Sequence, residues 1–175
     1  MMRYVWTFGS ITGAVLAGSF AIGYVLGADM DDHTPLMGYL IMIVALSLIF
    51  VGVKRYRDRE LGGVIRFGKA FLLGLGMGLV AALFYVIGWE LYMAATHYSF
   101  MDAYVASEVA KRTAAGASTA EVAKFAAEMK QFAAQYANPL YRIPITFAEI
   151  APVGLLAALV SAGILRNPKA FPAKA

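Results

Sequence analysis

The sequence predicts an all-α integral membrane protein with four transmembrane helices and an extracytoplasmic αα-hairpin between the third and the fourth. Three observations predict it. Of the 175 residues, 61% are hydrophobic and 15% are charged, against roughly 45–50% apolar and about 25% charged in a soluble domain. Four stretches run nearly long enough, or longer, without a charge to cross a bilayer, which takes about 20 apolar residues at 1.5 Å each. The lysines and arginines concentrate in segments that four crossings would place on one side. The length fits one domain, residues 1–175.

The first charge-free run, Tyr4 to Ala28, closes on Asp29, Asp31, Asp32 and His33. Its apolar stretch is too long, and lacks the small-residue cleavage site, for a cleaved signal peptide. It reads as a span over about 4–28. Thr34 to Val53 is the second run and predicts a span over about 35–53. Lys54, Arg55, Arg57, Arg59, Arg66 and Lys69 then mark a cytoplasmic basic loop over 54–69. That loop has no Walker pattern to cradle a phosphate. Anionic lipid head groups, at roughly 1 kcal/mol per basic residue, are its expected contacts. Ala70 to Trp89 is the third run, in a span over about 69–95. The fourth, Ile150 to Leu165, has only 16 residues and must borrow upstream to Ile143, giving about 143–165.

Arg3, the 54–69 cluster, Arg166, Lys169 and Lys174 are ten of the fifteen basic residues. All three segments fall on one side of four spans, so both termini are expected in the cytoplasm. The net charge of +4 then describes orientation, and nucleic acid is not an expected partner. Gly9, Gly13 and Ala17 recur every four residues, as do Ser19, Gly23 and Gly27, and Ala70, Gly74, Gly78 and Ala82. Small residues at this spacing let helices approach closely in lipid, within the chain or between chains.

Residues 99–138 read as the hairpin. Gly116 ends a first helix, and Ser118 with Glu121 has capping-box spacing. Val122, Phe125, Met129, Phe132 and Tyr136 then step by three and four residues, an amphipathic helix that Asn138-Pro139 stops. Its apolar stripe packs on the other hairpin helix or on the membrane surface, or it lids a cavity or docks a partner.

Charges inside spans are functional candidates by default. Glu90 lies about 31 Å from Lys69 and Glu149 about 25 Å from Arg166 at 1.5 Å per residue, so both fall near the outer edge. Glu90 and His97 share a face if the third helix runs that far, and Arg142 and Glu149 have the same spacing on the fourth. Together the four could ring an outward-facing polar pocket. A plainer reading exists for each carboxylate. Thr146 and Glu149 have capping-box spacing behind Pro144, and Glu90 in an aromatic belt can pair with Arg142. Pro152, three residues after Glu149, removes a backbone donor and favours a kink. Such a kink beside a carboxylate suits a gating or ion-coordinating site.

With no cysteine and two histidines, disulfides, thiolate metal sites and a cysteine nucleophile are excluded, and no metal site or cofactor is expected. No nucleophile elbow, zinc helix or nucleotide fingerprint is present, so no catalytic residue is assigned.

The segments SLIFVGVKRYRDRELGGVIRFGK, AFLLGLGMGLVAALFYVIGWE and NPLYRIPITFAEIAPVGLLAALVSAGIL resemble a bacterial family of small membrane proteins, the domain of unknown function numbered four-one-nine-nine. The most particular pieces are GVKRYRD with FGKAF downstream, and FAEIAPVG with Glu149 and Pro152; the hairpin matches least. The resemblance implies a four-helix protein of the bacterial inner membrane and carries no established activity. The expectation is a non-enzymatic accessory or assembly partner in a membrane complex, or a homo-oligomer. The alternative is a small transporter or channel-like protein using Glu90 and Glu149 for a cation or proton, with a membrane enzyme third.

Overall fold

A computed structural model describes residues 1–25 and 35–173. The described chain forms α1 (Met2–Val25), α2 (Pro35–Glu60), α3 (Phe67–Ala95), α4 (Phe100–Ala114), α5 (Thr119–Tyr136) and α6 (Pro139–Leu165). Four of these, α1, α2, α3 and α6, are long and apolar enough to cross a membrane. Asp29, Asp31, Asp32 and His33, the last residues of the first predicted span, and Lys174 lie outside the described residues.

The four long helices pack in the cyclic order α1–α3–α6–α2. Leu16, Leu46, Ile49, Leu73, Met77, Ile150 and Leu165 fill the centre with almost no exposure. Leu36, Ile43, Val44, Leu72, Leu91, Leu156 and Val160 face outward, as helices in lipid do when apolar side chains need no water-excluding core. Close approach rests on the small residues. A Cβ at Gly13 would lie 2.4 Å from Cβ of Phe84, and one at Gly88 would lie 2.7 Å from Cβ of Ala17. On the other side of α3, a Cβ at Gly74 would meet Cα of Ala158 at 3.1 Å. The Gly9–Gly13–Ala17 row of α1 therefore packs on α3, and Gly74 and Gly78 of the α3 row pack toward α6, inside one chain.

Two boundaries differ from expectation. The basic residues from Lys54 to Arg59 are not loop: α2 continues through them to Glu60. Lysine and arginine are good helix formers, and cations favour a helix C-terminus. The helix stops where Gly62 and Gly63 adopt left-handed φ of 62° and 91° and the Gly63 amide donates to the Arg57 carbonyl, a glycine-terminated C-cap. The helix holding the fourth expected span begins at Pro139, ahead of Ile143. Asn138 caps it, its Oδ1 accepting from the Leu140 amide at 3.0 Å, and Pro139 at the first position has no N–H to lose.

Contacts define the two ends of the bundle. At the basic end, Tyr4 donates to Glu60 at 2.9 Å and the 166–173 tail folds onto Arg57. At the hairpin end, α4 and α5 join through Gly116, with the capping box of Ser118 and Glu121 formed. The α5 stripe packs within the chain: Met129, Phe132 and Tyr136 join Met93, Met101 and Tyr104 in a second apolar cluster. Further along the stripe, the Arg112 guanidinium lies 3.8 Å over the Phe125 ring.

Candidate functional site

The polar residues of the hairpin end fall into an upper and a lower group. Arg142, in the first turn of α6, is fully buried. Its Nε donates to Glu90 Oε1 at 2.7 Å and its Nη2 to Glu90 Oε2 at 2.6 Å, a two-pronged pair. Nη1 donates to the Tyr136 and Ala137 carbonyls at 3.0 and 3.3 Å, placing the cation against the C-terminal carbonyls of α5, where the helix dipole favours it. The guanidinium also lies 5.4 Å from the Tyr98 ring, within cation–π range. One side chain thus ties α3, α5 and α6 together, and both Glu90 oxygens are occupied.

Tyr136 links the upper group to the lower one. Its hydroxyl accepts from Trp89 Nε1 at 2.8 Å and has the Thr146 hydroxyl in reach. Burial pushes the Tyr136 phenol above its ordinary pKa, so at neutral pH it remains a hydroxyl. Thr146 is no helix cap, because α6 already started at Pro139; its Oγ1 donates to the Arg142 carbonyl at 3.0 Å. The capping-box reading of Thr146 and Glu149 is therefore overturned.

Glu149 sits two turns below Arg142, about 10 Å deeper along α6. It stands exposed on the flank of the bundle, with the hydroxyl of Tyr85, itself 6% exposed, in hydrogen-bonding reach of its carboxylate. Pro152 lies one turn on and has no N–H, so the Ala148 carbonyl lacks its usual helical donor.

His97 does not join this group. The third helix ends at Ala95, and His97 and Tyr98 follow with left-handed φ of 52° and 60°. The His97 and Tyr98 amides donate to the Ala94 and Met93 carbonyls, the closing bonds of a Schellman turn. That turn directs His97 to solvent and lays Tyr98 beside Arg142. Of the four sequence candidates, the fold joins Glu90 to Arg142, sets Glu149 deeper, and leaves His97 apart.

Tyr85 and Tyr136 were missed by the sequence reading, since tyrosines in a membrane chain read as aromatic belt. Under the hairpin, Met93, Tyr98, Met101, Asp102, Lys130 and Tyr136 line a hollow of about 400 Å³. Among the described residues no group of three His, Asp or Glu side chains could hold a metal ion.

At the basic end, Arg55, Arg59, Arg66 and Lys69 are exposed and available to lipid head groups, and Lys54 pairs with Asp58. Arg57 is the exception among the predicted head-group contacts. It is fully buried, with Nε on Asp58 and the remaining guanidinium on the Leu165, Ala170 and Phe171 carbonyls, so it serves the protein and not the lipid.

No curated protein and no solved structure matches the chain. The model of one family covers residues 7–167, which takes in all four long helices and the hairpin. The chain belongs to that family, described as Protein of unknown function (DUF4199).

Proposed function

We propose that this chain is a non-enzymatic, polytopic protein of a bacterial inner membrane that acts as an accessory or assembly partner in a membrane complex. The observation carrying this reading is Glu149: a carboxylate within α6, exposed sideways where the neighbouring surface is apolar. A polar group facing hydrocarbon is costly alone and is satisfied when a neighbouring helix covers it. The Gly9–Gly13–Ala17 row and the Ala70–Gly74–Gly78–Ala82 row pack inside the bundle, and the Glu149 flank and the hairpin are the surfaces we assign to a partner or a second copy. In the orientation we propose, both termini face the cytoplasm, and Arg55, Arg59, Arg66 and Lys69 meet anionic lipids.

The chain has no cysteine, so a single cysteine at Ala148 tests the flank by cross-linking in native membranes. A discrete cross-linked species of fixed stoichiometry is expected, lost in Glu149→Leu. Recovery of monomer alone, in membranes and in mild detergent, would reject the reading.

A second reading, a small transporter or channel-like protein, is favoured by the same carboxylate beside Pro152. Glu90 drops out of it, because Arg142 holds both oxygens. This reading predicts that Glu149→Gln abolishes ion-coupled flux in proteoliposomes without loss of expression; flux that survives the change rejects it.

A further inference from the structure

We infer that Glu149 is a proton-binding site, with the buried Tyr85 hydroxyl beside it. This deepens the transport reading and, like both readings above, rests on Glu149 lying at lipid depth.

Position supplies the first argument. Glu149 is about 10 Å inside the Arg142–Glu90 pair and about 25 Å from Arg166 at the other end of α6, which places it within a hydrocarbon layer about 30 Å thick. The hydroxyl group beside it is that of Tyr85 from α3. No lysine, arginine or histidine among the described residues forms an ion pair with it. Arg142, the cation on its own helix, is fully committed to Glu90 and two carbonyls. An ionised carboxylate at that depth without a cation is expensive, and a bound proton removes the charge.

The second argument is the built partner. The Tyr85 hydroxyl is held on a side chain more than nine-tenths buried and reaches the carboxylate. A hydroxyl donates to a carboxylate and accepts from a carboxylic acid, so Tyr85 satisfies both states. The Ala148 carbonyl, deprived of its donor by Pro152, offers another acceptor on the same turn.

The test uses the purified full chain in phospholipid vesicles and dicyclohexylcarbodiimide, a lipid-soluble reagent that adds to protonated carboxyl groups, with sites read by peptide mass spectrometry. Glu149 is expected to be modified in preference to Glu90, Glu108, Glu121 and Glu128, and modification is expected to fall about tenfold between about pH 6 and pH 9, a range spanning several decades of proton activity. Tyr85→Phe, which keeps the ring, is expected to move the midpoint of that decline. Three results would overturn the inference: an unmodified Glu149 in folded protein at about pH 6, a modification indifferent to pH, or protection by sodium ion at constant pH, which would assign a metal cation instead. Because the experiment uses the isolated protein, its failure leaves the assembly reading to the cross-link at Ala148.

Discussion

At the residue scale, an arginine that loses contact with water must find partners for its N–H donors, and both buried arginines here combine a carboxylate with main-chain carbonyls. Arg142 puts Nε and Nη2 on Glu90 and Nη1 on the end of α5, whereas Arg57 puts Nε on Asp58 and the rest on the end of α6 and the tail. Removing one member of such a pair strands the other, at about 3–5 kcal/mol, whereas replacing both by apolar groups of similar volume is often neutral. Arg142→Ala is therefore expected to lower the thermal midpoint of the detergent-solubilised protein sharply. Glu90→Leu combined with Arg142→Met is expected to recover most of the loss; a double variant as unstable as the single one would show that the carbonyl contacts matter more than the ion pair. Thr12 makes the opposite case. It is fully buried on α1 with its hydroxyl unbonded, so Thr12→Val removes an unsatisfied group at nearly constant volume. A rise in stability of about 1 kcal/mol is expected by chemical denaturation, and a fall would mean the hydroxyl has a partner. Neither the orphan hydroxyl nor the burial of Arg57 was legible in the sequence, because both depend on which neighbour a helix face meets. Glu90 and Arg142 were legible as charges out of place, and their pairing was one of the readings open.

Helices were legible to the degree that their boundaries are written in local chemistry. The hairpin is the clearest instance: Ser118, Glu121 and the α5 stripe specify a start and a face, and the structure uses both. The end of α2 and the start of α6 were misplaced because a change from apolar to charged residues was read as a helix boundary. The real stops are Gly62-Gly63 and Asn138-Pro139. Two predictions belong to this scale. In the capping box, the Ser118 hydroxyl and amide hold the Glu121 carboxyl below its ordinary pKa. A carboxylate with a lowered folded-state pKa stabilises above its unfolded value, near 4.3, and loses that contribution as pH falls through the folded value. Protection of the first α5 amides against hydrogen exchange, taken relative to the intrinsic rate at each pH, is therefore expected to fall below about pH 4, and Glu121→Gln is expected to flatten the dependence. An unchanged profile would place the fraying elsewhere. Between α1 and α3, Gly13 leaves no room for a side chain against Phe84. Gly13→Leu is expected to part those helices and lower the melting midpoint, whereas Gly18→Leu, where no atom stands within reach, is expected to change it little.

On the scale of the whole molecule, the two ends of the bundle differ in kind. One end gathers Arg3, Arg55, Arg59, Arg66, Lys69, Arg166 and Lys169 around a short loop and a folded-back tail. The other carries a belt of rings, in which Phe20, Tyr24, Trp89, Tyr92 and Phe100 touch one another, beneath a hairpin whose charges are mixed. The contact of Tyr4 with Glu60 and that of Arg57 with the tail bring the N-terminus, the loop and the C-terminus to the same end, as an even number of crossings requires. Anionic lipids and the translocation bias against lysine and arginine would both hold the basic end in the cytoplasm, with the ring belt at the opposite interface. The absence of native cysteine makes this directly measurable. A cysteine introduced at Gly116, in the turn between α4 and α5 with open space around it, is expected to react with a membrane-impermeant maleimide added outside intact spheroplasts. One introduced at Arg59, exposed at the end of α2, is expected to react only after the membrane is opened. The reverse pattern would invert the molecule and set the hairpin in the cytoplasm; labelling of both sites from one side would deny the four crossings themselves.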